Sequence, residues 1–200
     1  MISPMIDEKC LLVKEAQAMI GYCTFMEITK LANSGVRIKA KNTAFIVDPG
    51  QGKLEGTAQK GSGLDEDVVI LYEKPQDYSK FSGKLVIDSP GEYEVGGVSI
   101  KGERVRGFLA FDFFEDGQKL VVISNPDITG DIETEGSKVA LVRLAKKLGD
   151  ETLSSIQSEI VSFYGPEEFL PQEKETLKRV DKINLKKTEE LKGYLVYLSK

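Results

Sequence analysis

The chain has 200 residues, 40% hydrophobic and 30% charged, enough to bury a core as one domain or as two closely packed halves. Its net charge of -5 and pI near 5.1, with lysines and arginines scattered among acids, exclude the basic stripe of a nucleic-acid-binding surface. It contains no histidine. That removes imidazole-based zinc catalysis and the Ser-His and Cys-His nucleophile pairs together, leaving carboxylates, lysine, tyrosine or a cofactor for any chemistry.

Residues 1–25 form a mixed segment with apolar side chains at 11, 12, 13, 16, 19 and 20, a spacing that suits a short amphipathic helix and an N-terminal arm. Asp7 and Glu8 stand where a secretory signal carries basic residues, and no apolar run reaches the roughly 20 residues needed to span a bilayer. The expectation is a cytoplasmic protein without membrane contact. Cys10 and Cys23 have no histidine or third cysteine nearby to complete a tetrahedral zinc site, so they read as structural or free thiols.

From Met26 the pattern becomes β-rich. MEITKLANSGVRIKAKNTAFIVDP holds three short alternating segments separated by Asn-Ser-Gly and Lys-Asn turn signals, a meander ending at Asp48-Pro49. GQGKLEGTAQKGSG, residues 50–63, reads as a long exposed loop; no Gly-Lys-Ser/Thr and no helix pattern follows, as a phosphate cradle requires. Strand patterns resume with DVVILY, KLVIDSPGEYEVGGVSIKGERV and FLAFDFFEDGQKLVVIS, with a hairpin signal at Glu115-Asp116-Gly117. In the second half VALVRLA reads as a buried strand, Asp150 as the cap of a short helix through Ile156, and EIVSFYG as a strand. Pro171 suits the first turn of a helix to Lys178, and KINLKK and YLVYLS read as the last two strands.

These landmarks, in this order, resemble the lactonase-like branch of the metallo-β-lactamase superfamily, from about Met26 to the C-terminus. The opening strand-turn-strand to Asp48-Pro49 is similar to the family's start, and DSPGEYEVGGVSIKG resembles its Gly-Pro-Gly-Glu-Tyr-Glu segment; RVDKINLKKTEELKGYLVYL is similar to its closing strands. The resemblance implies residues 26–200 as one αββα sandwich, two sheets face to face with reduced helical layers outside, and an ancestral class of metal-dependent hydrolase. After DVVILY the family carries HxHxDH, where this chain has Glu73, Lys74, Pro75, Gln76, Asp77 and Tyr78. Only the Asp survives. The family's downstream aspartate ligand matches Asp127, and the histidine ending its EIVSFYG-like strand falls near Tyr164 or Gly165.

The resemblance therefore implies a degenerate member. Zinc is not expected, because tetrahedral zinc sites rest on imidazole or thiolate, although Asp48, Asp77 and Asp127 offer oxygen ligands of the kind Mg or Ca prefers. Each acid also has a plain structural reading as a turn-closing side chain, and Pro75 fixes φ in a loop that in relatives aims several ligands. Three functions follow: a non-catalytic scaffold that binds itself or a related hydrolase, a hydrolase with a rebuilt carboxylate site, or a small-ligand binder. The binder would use a cleft lined by Lys74, Tyr78 and Tyr164, with residues 50–63 as its lid. Glu92 and Glu94 read as a solvated hairpin face, and Tyr72, Tyr78 and Tyr93 as pocket lining or packing.

Overall fold

Runs such as VVI, KLVVI and VALV are apolar at every position, which a strand tolerates only when both of its faces are covered. The computed structural model, which describes residues 26–31, 35–49, 68–170 and 176–199, has the sandwich that this pattern demands. Six strands make the first sheet: β1 (Glu27–Lys30), β2 (Val36–Lys39), β3 (Ala44–Val47), β4 (Val68–Ile70), β5 (Leu85–Ile87) and β13 (Lys182–Asn184), in the order β13-β1-β2-β3-β4-β5. The second has eight: β6 (Gly91–Val95), β7 (Val98–Val105), β8 (Phe108–Glu115), β9 (Gln118–Ile123), β10 (Ser137–Arg143), β11 (Ser158–Tyr164), β12 (Leu177–Val180) and β14 (Leu195–Leu198). Their order is β12-β14-β11-β10-β9-β8-β7-β6.

Side chains alternate across each strand as the pleat requires. In β4, Val68 and Ile70 face the space between the sheets while Val69 turns outward; in β9 and β10, Leu120, Val122, Val139 and Leu141 face inward while Val121, Ile123, Ala140 and Val142 face outward. Phe45 of β3 meets Phe113 of β8 edge to face, ring centroids 5.3 Å apart, and both are fully buried. The outer apolar face of the second sheet is covered by Ile128 of a 3₁₀ turn at Pro126–Asp131 and by Leu153 of helix α1 (Asp150–Ser154), together with Leu148, Ile156 and Leu170. Outside the first sheet, Phe81 of the 3₁₀ turn Ser79–Phe81 packs on Val69 and Leu71.

Both sheets are mixed. β1, β2 and β3 are antiparallel neighbours, whereas β3, β4 and β5 run parallel; β6 to β9 form antiparallel hairpins, whereas β9, β10, β11, β14 and β12 run parallel. The hairpins close through two-residue loops. Asp116 and Gly117 (φ 48° and 75°) and Arg106 and Gly107 (φ 48° and 89°) hold the left-handed conformations that such tight loops need. DSPGEYEVGGVSIKG forms the β6–β7 hairpin at the sheet edge, where Glu92 and Glu94 are exposed and the Tyr93 hydroxyl donates to Ser89 O at 3.0 Å.

Two expectations are corrected. The helix from Pro171 to Lys178 is not formed at its end: Leu177 and Lys178 open β12, held by parallel pairing to Leu195 and Val196 of β14, so sheet pairing overrides local propensity. The cap of α1 is Gly149 rather than Asp150, and no side-chain bond closes it. The N-terminal arm, the loop at 50–63 and residues 171–175 lie outside the described residues.

Candidate functional site

Parallel strands bring their carboxyl ends to one side of a sheet, and that edge is where ligands gather in folds of this type. Here the carboxyl ends of β3, β4, β9, β10 and β11 converge between the two sheets. Five segments meet there: Asp48-Pro49, the run from Tyr72 to Asp77, Ser124-Asn125, Arg143 and Tyr164.

Arg143 continues the inward row of Val139 and Leu141 and ends an otherwise apolar strand. Its Nε lies 2.8 Å from Asp48 Oδ2, with the Asp48 side chain 19% and the Arg143 side chain 36% exposed. Asp48 itself is held in the left-handed region at φ 50°, its amide donating to Ile70 O at 3.0 Å. Gly35 allows this placement, because a Cβ there would stand 2.4 Å from Asp48 O and 2.5 Å from Val47 O. Burial pushes the Asp48 carboxyl above its ordinary range, Arg143 pulls it back, and Glu73 pushes it up again.

Beneath this ion pair lies a second polar pair. Tyr72 and Tyr164 share a hydrogen bond of 2.6 Å between their hydroxyls, and they are 5% and 0% exposed. Burial raises both phenols well above the ordinary tyrosine range. The Arg143 guanidinium sits 5.7 Å from the Tyr72 ring centroid, so one cation faces both the carboxylate and the aromatic face. Gly165 follows at φ 118°, where a Cβ would meet Leu144 O at 3.0 Å, and its carbonyl accepts from Tyr197 Oη at 2.7 Å.

The sequence candidates are distributed unevenly. Asp48, Glu73, Pro75 and Asp77 all border one groove of about 730 Å³ together with Lys74, Lys80 and Arg143. Asp77 is turned to its own loop, accepting from Ser79 N at 2.8 Å and Ser79 Oγ at 2.6 Å, and those bonds lower its pKa. Asp127 stands in the 3₁₀ turn after β9, paired with Lys146, while its amide donates to Asn125 Oδ1 at 2.9 Å. Asp48, Asp77 and Asp127 do not come together: no cluster of three acids or cysteines able to hold a metal ion exists among the described residues. Tyr78 is exposed and its hydroxyl donates to Asp88, and Tyr164 is sealed against Tyr72, so of the expected cleft lining only Lys74 borders this groove. No helix among the described residues is long and apolar enough to cross a membrane.

A second cavity of about 430 Å³ adjoins the first across Tyr72, Glu73, Lys74 and Arg143, and runs to Arg104, Phe108, Ser124 and Asn125. Arg143, Arg104 and Ser124 were not legible as site residues. The one signal for Arg143 is a lone charge closing the apolar run VALV.

No family model matches the sequence, and no curated relative matches it. Solved structures do. A metallo-β-lactamase-superfamily protein from Thermotoga maritima, for which Zn-dependent hydrolysis is proposed, matches at a TM-score of 0.58 and 20% identity over 86% of this chain and 98% of that one. The metallo-β-lactamase fold protein YhfI from Bacillus subtilis matches at a TM-score of 0.50 and 13% identity over 88% and 97%. At these identities the likeness establishes architecture: the chain has the metallo-β-lactamase fold.

Proposed function

We propose that this chain is a non-catalytic member of the lactonase-like branch of that superfamily, a protein whose cleft binds rather than hydrolyses. The observation that carries the reading is the Arg143–Asp48 ion pair at the carboxyl ends of β10 and β3. A carboxylate already matched by a guanidinium in a half-buried position has its charge compensated inside the protein, and a metal ion would have to displace that cation.

The donor set does not fit zinc. The chain has no imidazole, Tyr164 stands at the end of the strand where relatives carry a histidine and spends its hydroxyl on Tyr72, and Asp77 and Asp127 are engaged by Ser79 and Lys146. The branch assignment rests on Pro90-Gly91-Glu92-Tyr93-Glu94 in the β6 hairpin. Binding is favoured over a purely structural role because both cavities are open rather than filled by side chains, and their volumes of about 430 and 730 Å³ suit small molecules.

The test is turnover of lactone and phosphodiester panels with Zn, Mg, Mn and Ca each added in turn. No turnover above the metal-only blank is expected. Turnover that disappears in Asp48→Asn overturns the proposal.

A further inference from the structure

We infer that the smaller cavity is a binding site for a small organic anion, an oxyanion head on an apolar body. The inference rests on the binding reading above and adds a ligand class and the residues that select it.

Its lining carries Lys74, Arg104 and Arg143 against one acid, Glu73, and with Arg143 matched by Asp48 the lining keeps a positive surplus from Lys74 and Arg104 in a chain whose net charge is -5. Arg104 and Arg143 stand on β7 and β10 of the second sheet, and Lys74 on the segment that follows β4, so two of the three cations are positioned by strands. Asp48, which engages the Arg143 Nε, borders the larger groove and is not among the residues lining the smaller cavity. Neither Lys74 nor Arg104 forms an ion pair among the described residues. Arg104 spends one donor on Gly107 O at 2.8 Å, which fixes its guanidinium against the β7–β8 turn and leaves its other donors for a ligand.

An independent observation points the same way. Ser124, at the end of β9, is 4% exposed and lines this cavity, yet its hydroxyl has no hydrogen-bond partner. A buried hydroxyl with no partner in the protein costs free energy unless a water or a ligand completes it, and a ligand oxygen entering the cavity can take that place. Next to it, the Asn125 side-chain carbonyl accepts from Asp127 N at 2.9 Å, which fixes the orientation of the side chain, and its amide nitrogen adds two donors. The cavity thus presents hydrogen-bond donors backed by positive charge, the combination that recognises carboxylate or phosphate oxygens. Tyr72, Phe108 and Ala145 supply apolar wall for the rest of the molecule.

The experiment titrates isotope-labelled, tag-free protein with phenyl phosphate, benzoate and neutral benzamide while following backbone amide resonances. Saturable shifts centred on Ser124, Asn125 and Arg104 are expected with one or both anions and not with benzamide. The better anion names the head group. Arg104→Gln and Lys74→Gln should each weaken that anion about tenfold or more, as the loss of a charge-assisted hydrogen bond implies, and Ser124→Ala should weaken it less. The wild-type shift map decides the matter if a variant fails to fold. Absence of saturable shifts, equal binding of benzamide, or unchanged affinity in both charge variants overturns the inference. Metal content of the same sample separates the two claims: metal-free protein that ignores both anions sinks only the anion site, whereas stoichiometric metal sinks the non-catalytic reading whatever the anions do.

Discussion

Replacing Arg143 by Met keeps the length of the side chain and removes its charge, leaving Asp48 with 19% of its side chain in contact with solvent and no counter-charge. Breaking a fully buried ion pair by deleting one partner costs about 3–5 kcal/mol, and an exposed pair contributes about 0–1 kcal/mol. With Arg143 itself 36% exposed, the loss should fall between these limits, about 1–3 kcal/mol. At an m-value of about 2.5 kcal/mol/M this lowers the urea midpoint by about 0.4–1.2 M. Asp48→Asn should cost less, and Arg143→Met should cost little more in the Asp48→Asn background, giving a coupling energy of about 1 kcal/mol or more. pH supplies a second check. Arg143 is what pulls the Asp48 pKa down, against burial and Glu73, so the variant raises that pKa further. The deficit is then fully present above the folded pKa of Asp48 and shrinks as pH falls through it, because a protonated Asp48 has no ion pair to lose. A coupling energy near zero, or a deficit that persists unchanged in acid, refutes this account of the pair.

The buried phenols give an asymmetric prediction: Tyr72→Phe should destabilise by about 1–3 kcal/mol because Tyr164 is left unpaired, whereas Tyr72→Phe with Tyr164→Phe should be nearly neutral by urea unfolding. In an ultraviolet pH titration, Tyr72 and Tyr164 should stay protonated through the range near pH 10 where exposed phenols ionise. Their folded pKa values are raised, so ionisation favours the unfolded chain, and stability should fall as pH climbs above the unfolded value. Gly35→Ala should lower stability and disturb the Asp48–Arg143 pair, since a Cβ 2.4 Å from Asp48 O forces the backbone apart; thermal unfolding and the Arg143 Nε resonance report the two effects separately.

Strands with a dominant period were legible. The meander to Asp48, the Asp116-Gly117 hairpin and the apolar runs of β4, β9 and β10 are written in alternation or in unbroken apolar character, both of which follow from facing one or two covered surfaces. β12 was not, because LKRV at a sheet edge has no unbroken apolar run and owes its extension to β14. The site was legible in part. Sequence order located the segments after β4, β9 and β11, and the turn-closing reading for Asp77 agrees with its bonds to Ser79. At Asp127 the closing side chain is Asn125, whose Oδ1 accepts from Asp127 N, while the carboxylates of Asp127 and Asp48 pair with Lys146 and Arg143. The partner of Asp48 was not, since which residue of β10 faces it depends on how two sheets stack, and no local pattern encodes that. Ser124 likewise carries no motif; its significance lies in an unmet hydrogen bond that only three-dimensional packing reveals.

Elemental analysis of protein purified without added metal, chelator or a polyhistidine tag distinguishes an ion-paired cleft from a metal centre. Far less than one transition-metal ion per chain is expected, with Arg143 balancing Asp48 in its place. A stoichiometric metal, lost together with Asp48 in the Asn variant, would contradict it.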